Sequence, residues 1–228
     1  KEFIDNGVIG KVRYVQLNLI FPASEDEKAG RLPWRVDPAL SGGGHFFDLA
    51  SHQLDWLDFV FGPVKSIKSV AINQGGLYTA EDIVSATFTF DEGSSGTGLW
   101  CFSAASVGRT DTIEIMGDKG RIRFSSFSFD NIVLTNSMGT REFENERPEH
   151  VQYFLIEQIV NNLSGKGTVA STGDTAARTS RVLDEMVKLI DDPQTVVNNR
   201  NKTLMLIEAW GESSDELRYL PVFEETYK

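Results

Sequence analysis

Thr112-Ile113-Glu114-Ile115-Met116-Gly117-Asp118-Lys119-Gly120-Arg121-Ile122-Arg123-Phe124 is the stretch that decides the fold. Ile113 and Ile115 before the turn, and Ile122 and Phe124 after it, alternate with polar residues across Gly117–Gly120. Two alternating runs joined by a short glycine-bearing turn predict a β-hairpin that buries one face. Working outward, strand-like runs occupy Val64–Asn73, Ile83–Phe90, Thr97–Ser103 and Phe127–Thr135, with turns at Asp91-Glu92-Gly93 and Asn136–Gly139. Towards the amino terminus, Val12–Phe21 places Val15, Leu17, Leu19 and Phe21 on one face of a half-buried strand.

Three segments carry helical periodicity instead. Ser41-Gly42-Gly43-Gly44 opens one that runs to Phe61 and stops at Gly62-Pro63. Glu149–Leu163 spaces Val151, Leu155, Ile159 and Leu163 four apart, and Asp174–Ile190 starts at Thr172 or Asp174 as its cap. Between Pro22 and Leu40 lies a polar loop longer than the usual connection, a length that favours a segment covering something. Strands joined by tight turns, without alternating strand–helix–strand units, predict an α+β fold: a largely antiparallel, open-faced β-sheet with helices packed on one face. Residues 1–192 read as one domain and 193–228 as a carboxy-terminal extension.

The chain has 228 residues, 40% of them hydrophobic and 24% charged, which excludes wholesale disorder. Its 22 Lys and Arg against 33 Asp and Glu give a net charge of −11, so phosphate backbones and anionic lipid surfaces are poor partners. No apolar run reaches the ~20 residues of a membrane span, and the first residues do not read as a basic segment followed by an apolar run, so no signal peptide is expected among them. A single cysteine, Cys101, forms no internal disulfide and favours a reducing, cytoplasmic setting. The sequence enters a helix tail and turn within ten residues of Lys1, the expectation for a fragment of a longer protein.

Gly42-Gly43-Gly44-His45-Phe46-Phe47-Asp48-Leu49-Ala50-Ser51-His52-Gln53-Leu54-Asp55 holds two of the three histidines. On a helix, His45, Asp48, His52 and Asp55 fall within an arc of about 80°. Phe46, Leu49, Ala50, Leu57 and Val60 fill the opposite flank. Three readings stay open on the residues alone. The stripe is a solvated face; or it is a metal site in a lyase or hydrolase; or Asp48 orients His52 as a general acid/base at neutral pH. Arg35 is a candidate for gripping a hydroxyl or carboxylate, and Trp34 and Trp100 for stacking on a ring. Cys101 has no basic neighbour to make it a nucleophile, and His150 reads as surface.

Trp34-Arg35-Val36-Asp37-Pro38, Ser41-Gly42-Gly43-Gly44 and Asp48-x-x-x-His52-x-x-Asp55 together resemble the carboxy-terminal domain of the Gfo/Idh/MocA oxidoreductases. The Gly7–Val12 lead-in and the Ile115–Gly120 hairpin fit the same resemblance, which covers roughly residues 1–190. It implies catalytic roles for His52, as acid/base on a reacting hydroxyl, and Asp48, in its support. Trp34, Arg35, His45 and Asp55 become the substrate-binding candidates. The implied substrate is a carbohydrate or polyol, and the implied cofactor NAD or NADP. The family also includes relatives that use NAD to hydrolyse glycosides through transient oxidation, and the resemblance leaves that outcome open. The resemblance also implies a homodimer or tetramer built through the open sheet face. Two parts of the family pattern are missing: no G-x-G-x-x-G follows a strand, and no Lys-Pro pair occurs. The amino-terminal Rossmann domain is therefore expected outside these residues, and the fragment alone is expected to be inactive. A non-catalytic interaction domain is the remaining alternative.

Overall fold

The computed structural model describes residues 1–187, and the expected extension at 193–228 and the last turn of the expected Asp174–Ile190 helix lie outside them. In chain order the elements are α1 (Glu2–Asp5), β1 (Val12–Ile20), α2 (Glu25–Lys28), α3 (Pro38–Ser41), α4 (His45–Phe61), β2 (Val64–Ile72), β3 (Ile83–Phe90), β4 (Ser95–Cys101), β5 (Thr110–Gly117), β6 (Gly120–Phe124), β7 (Ile132–Asn136), β8 (Gly139–Phe143), α5 (Tyr153–Leu163) and α6 (Gly173–Met186).

All eight strands form one sheet in the order β2-β3-β4-β1-β5-β6-β7-β8. The expected hairpin is β5–β6, paired antiparallel with Ile115 opposite Ile122 and Ile113 opposite Phe124. Every adjacent pair is antiparallel except β1–β4, which run parallel at the centre of the sheet. The largely antiparallel, open-faced α+β architecture is as the residue pattern dictates.

One face of this sheet carries the core. Val15, Leu17 and Leu19 of β1 are buried there with Val84, Phe88, Trp100, Ile113, Ile115, Ile122 and Leu134 from its neighbours. Helix α4 lays Phe46, Ala50, Leu54 and Leu57 onto that surface, spaced three or four apart as one helical stripe. Leu183 and Met186 of α6 join the same cluster. Arg178 of α6 grips Asp58 of α4 through two bonds, Nε to Oδ1 at 2.9 Å and Nη2 to Oδ2 at 2.6 Å. The opposite sheet face is polar: a row across five strands reads Thr87, Thr97, Gln16, Glu114 and Arg123.

The structure differs from the sequence reading in three places. The Pro22–Leu40 loop contains two short helices and a 3-10 turn at Trp34–Val36. Ser24 and Glu27 cap α2 reciprocally, and Asp37 caps α3, with Pro38 in its first turn. Phe127–Thr135 is not one strand. Only Ile132 onwards pairs, because Asp111 gathers the backbone of Ser126, Phe127 and Ser128 into a turn. Finally, Gly139–Phe143 is a strand, β8, at the sheet edge, where four of its five residues are exposed and no apolar alternation marks it.

Candidate functional site

Helix α4 presents its outer face beside the loop that precedes it, and local chemistry fixes both. Gly42 ends α3 in the left-handed conformation at φ 85°, which glycine adopts freely. Gly44 starts α4 so close to the β3 lead-in that a Cβ there would lie 2.6 Å from the Ala80 methyl. The loop is anchored from below by Val36, buried against Tyr78 and Ala80. Trp34 and Arg35, which precede that anchor in the same 3-10 turn, stay in solvent, Trp34 with 57% of its surface exposed.

Arg35 reaches back to α4. Its Nε stands 3.1 Å from Asp48 Oδ2, and its guanidinium lies over the Trp34 ring at 4.8 Å from the centroid. Both members of the ion pair are partly exposed, so its contribution to stability is small. Its geometric effect is larger, because it holds a cation, a carboxylate and an aromatic face together at the first turn of α4.

His52 lies one turn along the same face. Its ring meets Phe127 edge-on, centroids 6.0 Å apart at 82°. It also lines a cavity of about 240 Å³ together with Gln53, Trp56, Phe124, Ser126 and Phe127. No hydrogen bond joins Asp48 to His52: the carboxylate that was expected to orient the imidazole is turned to Arg35 instead.

The two ends of the stripe serve the fold. His45 Nε2 is 2.6 Å from Glu27 Oε1, and its ring packs against Tyr78 and Phe102. Burial alone would push the Glu27 carboxyl up, but hydrogen bonds from Ser24 and His45 together hold it below its ordinary value. His45 therefore clamps α2 to the start of α4. At the other end, Asp55 Oδ1 accepts a long bond, 3.4 Å, from Thr179 Oγ1 of α6. Expected to bind substrate, His45 and Asp55 are each engaged within the chain, because the helix turns them towards α2 and α6. The four side chains share one face of α4 but not one cluster.

Two groups escaped the sequence reading. Glu81, beside Gly44, has a buried Oε1 with no hydrogen-bond partner, and burial pushes its carboxyl up to about 7. Asp111 sits under the loop that carries Phe127. Neither stood in a motif, and only three-dimensional contact reveals them.

Among the described residues no group of three or more His, Cys, Asp or Glu stands close enough to hold a metal ion. Nor do these residues fit a dinucleotide. The Gly93–Gly98 segment belongs to the β3–β4 turn and to β4, and among the described residues no strand passes through a glycine cradle into a helix. No helix of the described residues is long and apolar enough to cross a membrane.

Comparison with known proteins gives a consistent picture for the greater part of the chain. The sequence profile of the GFO/IDH/MocA C-terminal domain matches residues 1–123. Oxidoreductase P35 of Formosa agariphila is 30% identical over 185 residues, covering 81% of this chain and 56% of that protein. The solved structure of levoglucosan dehydrogenase in complex with NADH and levoglucosan superposes with a TM-score of 0.70 at 19% identity, over 82% of this chain and 59% of the other. A different kinship is also present: TOM1-like protein 1 of Arabidopsis thaliana is 63% identical over 82 residues, 36% of this chain and 18% of that protein. The chain thus spans about half the length of the bacterial oxidoreductase and under a fifth of the plant protein.

Proposed function

The chain belongs to the GFO/IDH/MocA family, whose C-terminal domain it contains, and on that premise we propose that it binds and orients the substrate of an NAD(P)-dependent sugar or polyol oxidoreductase. One observation carries the reading: His52 stands on the outer face of α4, one turn beyond the Arg35–Asp48 pair and at the mouth of a cavity. An indole face under a cation, the carboxylate that cation pairs with, and an imidazole one turn further along α4 suit a ligand with several hydroxyls. Arg35 donates hydrogen bonds to, and Asp48 accepts them from, the hydroxyls that do not react. His52 accepts the proton of the reacting hydroxyl at a ring nitrogen, a task suited to imidazole at neutral pH. Trp34 covers one side of the ligand and excludes water.

The nicotinamide cofactor, in this reading, is held by a nucleotide-binding domain that these residues do not contain, and the choice between NAD and NADP is made there. Levoglucosan dehydrogenase, which shares the fold, has been solved with both NADH and levoglucosan bound. That supports a carbohydrate as the ligand class for the site of this chain.

The test is a reaction measured on a protein that joins these residues to an upstream nucleotide-binding domain, with a panel of sugars and polyols. His52→Gln is expected to lower kcat by roughly 10²- to 10⁴-fold, the usual weight of a general base. Arg35→Ala is expected to raise KM while leaving kcat nearly unchanged. Full oxidoreductase activity in His52→Gln would end the proposal.

A further inference from the structure

The loop between β6 and β7 is pinned more tightly than its position requires. Asp111, near the start of β5, accepts the backbone N–H groups of Ser126 at 2.9 Å, Phe127 at 2.7 Å and Ser128 at 3.0 Å, and the Ser128 hydroxyl at 3.2 Å. Ser125 Oγ accepts the Asp130 N–H at 2.9 Å across the same turn, and Phe129 adopts a left-handed φ of 55°. A second tether comes from α4. The Trp100 indole donates to Gln53 Oε1 at 2.7 Å, which fixes the amide so that Gln53 Nε2 donates to Ser126 Oγ, also at 2.7 Å. One carboxylate and one oriented amide thus hold a non-helical, non-strand segment in a single posture.

What that posture achieves is the placing of Phe127. The ring stands edge-on to His52 and closes the cavity that His52, Gln53 and Trp56 line from the helix side. At about 240 Å³ the cavity is smaller than the roughly 300–1,000 Å³ of pockets that enclose a whole drug-sized ligand. It suits one small ring or one side of a ring. Its walls are mixed: aromatic at Trp56, Phe124 and Phe127, polar at His52, Gln53 and Ser126. A ligand that meets both kinds of wall has an apolar face and hydroxyls at its rim.

We propose that Phe127 is a specificity-determining residue of the His52 site and that Asp111 is its positioning residue, together selecting cyclic polyols, whose C–H face meets the Phe127 ring, over acyclic ones. This rests on the reading of His52 as the substrate-facing base and deepens it. The ligand then spans the face of α4, its hydroxylated end at Arg35–Asp48 and its ring face in the cavity. An open-chain polyol reaches Arg35 and His52 equally well but leaves Phe127 without a partner.

The experiment uses the chain as it exists, with methyl β-glucoside as the cyclic probe and glycerol as the acyclic one. Binding is followed by NMR on the ring signals of the three histidines, assigned by substitution. The glucoside is expected to shift the His52 signal and to bind more tightly than glycerol. Phe127→Ala is expected to lower glucoside affinity by roughly three- to tenfold, the scale of one aromatic contact, and to leave glycerol affinity unchanged. Asp111→Asn should reproduce that selective loss, and Phe127→Tyr should restore the glucoside preference. A purely structural role for Asp111 lowers thermal stability but does not change the ratio of the two affinities. An unchanged ratio in Phe127→Ala overturns the proposal, as does a glucoside that moves no His52 signal in the unsubstituted protein. The underlying reading fails differently. If calorimetric titration shows that the glucoside still binds with its Phe127 dependence in His52→Gln, and the joined protein keeps its activity in that variant, the cavity stands and His52 is not the base.

Discussion

Replacing Glu81 with glutamine should stabilise this protein, and the gain should depend on pH. The carboxyl is buried beside the first turn of α4, with Oε1 lacking any hydrogen-bond partner. Burial is the dominant cause that pushes it from the ordinary 4.5 to about 7; the Glu81 and Gly44 amides oppose that rise, and Asp82 adds to it. At about 1.4 kcal/mol per factor of ten, ionising the buried acid costs roughly 3 kcal/mol of folding free energy. The sign follows from the direction. A group whose pKa is raised on folding gives its full stability below 4.5 and loses it as pH rises through about 7. Glu81→Gln keeps the shape and removes the charge, so its advantage over the parent should be near zero at the acid end and greatest above neutrality. For a chain of this size the advantage corresponds to roughly 6–12 °C in Tm. Calorimetric or circular-dichroism melts of both proteins across that pH range read the difference directly. Melting curves of parent and variant that stay parallel from acid to alkaline pH would refute the argument, because they would mean that Glu81 ionises freely where it stands.

Two further substitutions probe the core and a close contact. Gln53→Leu leaves the buried Trp100 indole N–H without its acceptor and frees Ser126; a loss of about 1–3 kcal/mol in urea unfolding, with a change in tryptophan fluorescence, is expected. Gly117→Ala drives a methyl group into the Ile9 backbone carbonyl, which no rotamer relieves. A loss of more than about 3 kcal/mol, or failure to accumulate folded protein, should be seen by size-exclusion chromatography and circular dichroism.

The elements that could be read from the residues are those whose burial is one-sided and local. The β5–β6 hairpin announces itself because Ile113, Ile115, Ile122 and Phe124 alternate with charged residues around a short turn. Helix α4 is equally plain, since its apolar stripe repeats over four turns. Where the determinant is distant or brief, the pattern is silent. The parallel β1–β4 pair is made by residues far apart in sequence, such as Leu17 and Gly98. The 3-10 turn at Trp34–Val36 and the four-residue α2 and α3 are too short for any period, although Ser24-x-x-Glu27 and Asp37-Pro38 carry their caps in plain view. The strand expected from Phe127 fails because Phe127 lines a pocket instead of pairing into the sheet, under the control of Asp111, sixteen residues earlier. At the site, helical spacing was enough to bring Asp48 and His52 onto one face. It could not show that Arg35, in the preceding loop, takes Asp48, or that Glu27 takes His45.

The position of β1 bears on how the chain is made. This strand is made before every other strand of the sheet and lies at its middle, yet Leu17 finds its partners only in Gly98 on one side and Ile113 on the other. Until β4 has been synthesised, an apolar strand with two bare edges waits in the cell, and closing it requires a long loop. Nascent chains stalled before Cys101 therefore expose Val15, Leu17 and Leu19 with no sheet to enter, and are natural clients for chaperones. β4 can cover one edge of β1 as soon as it is made, and the arrival of β5 covers the other.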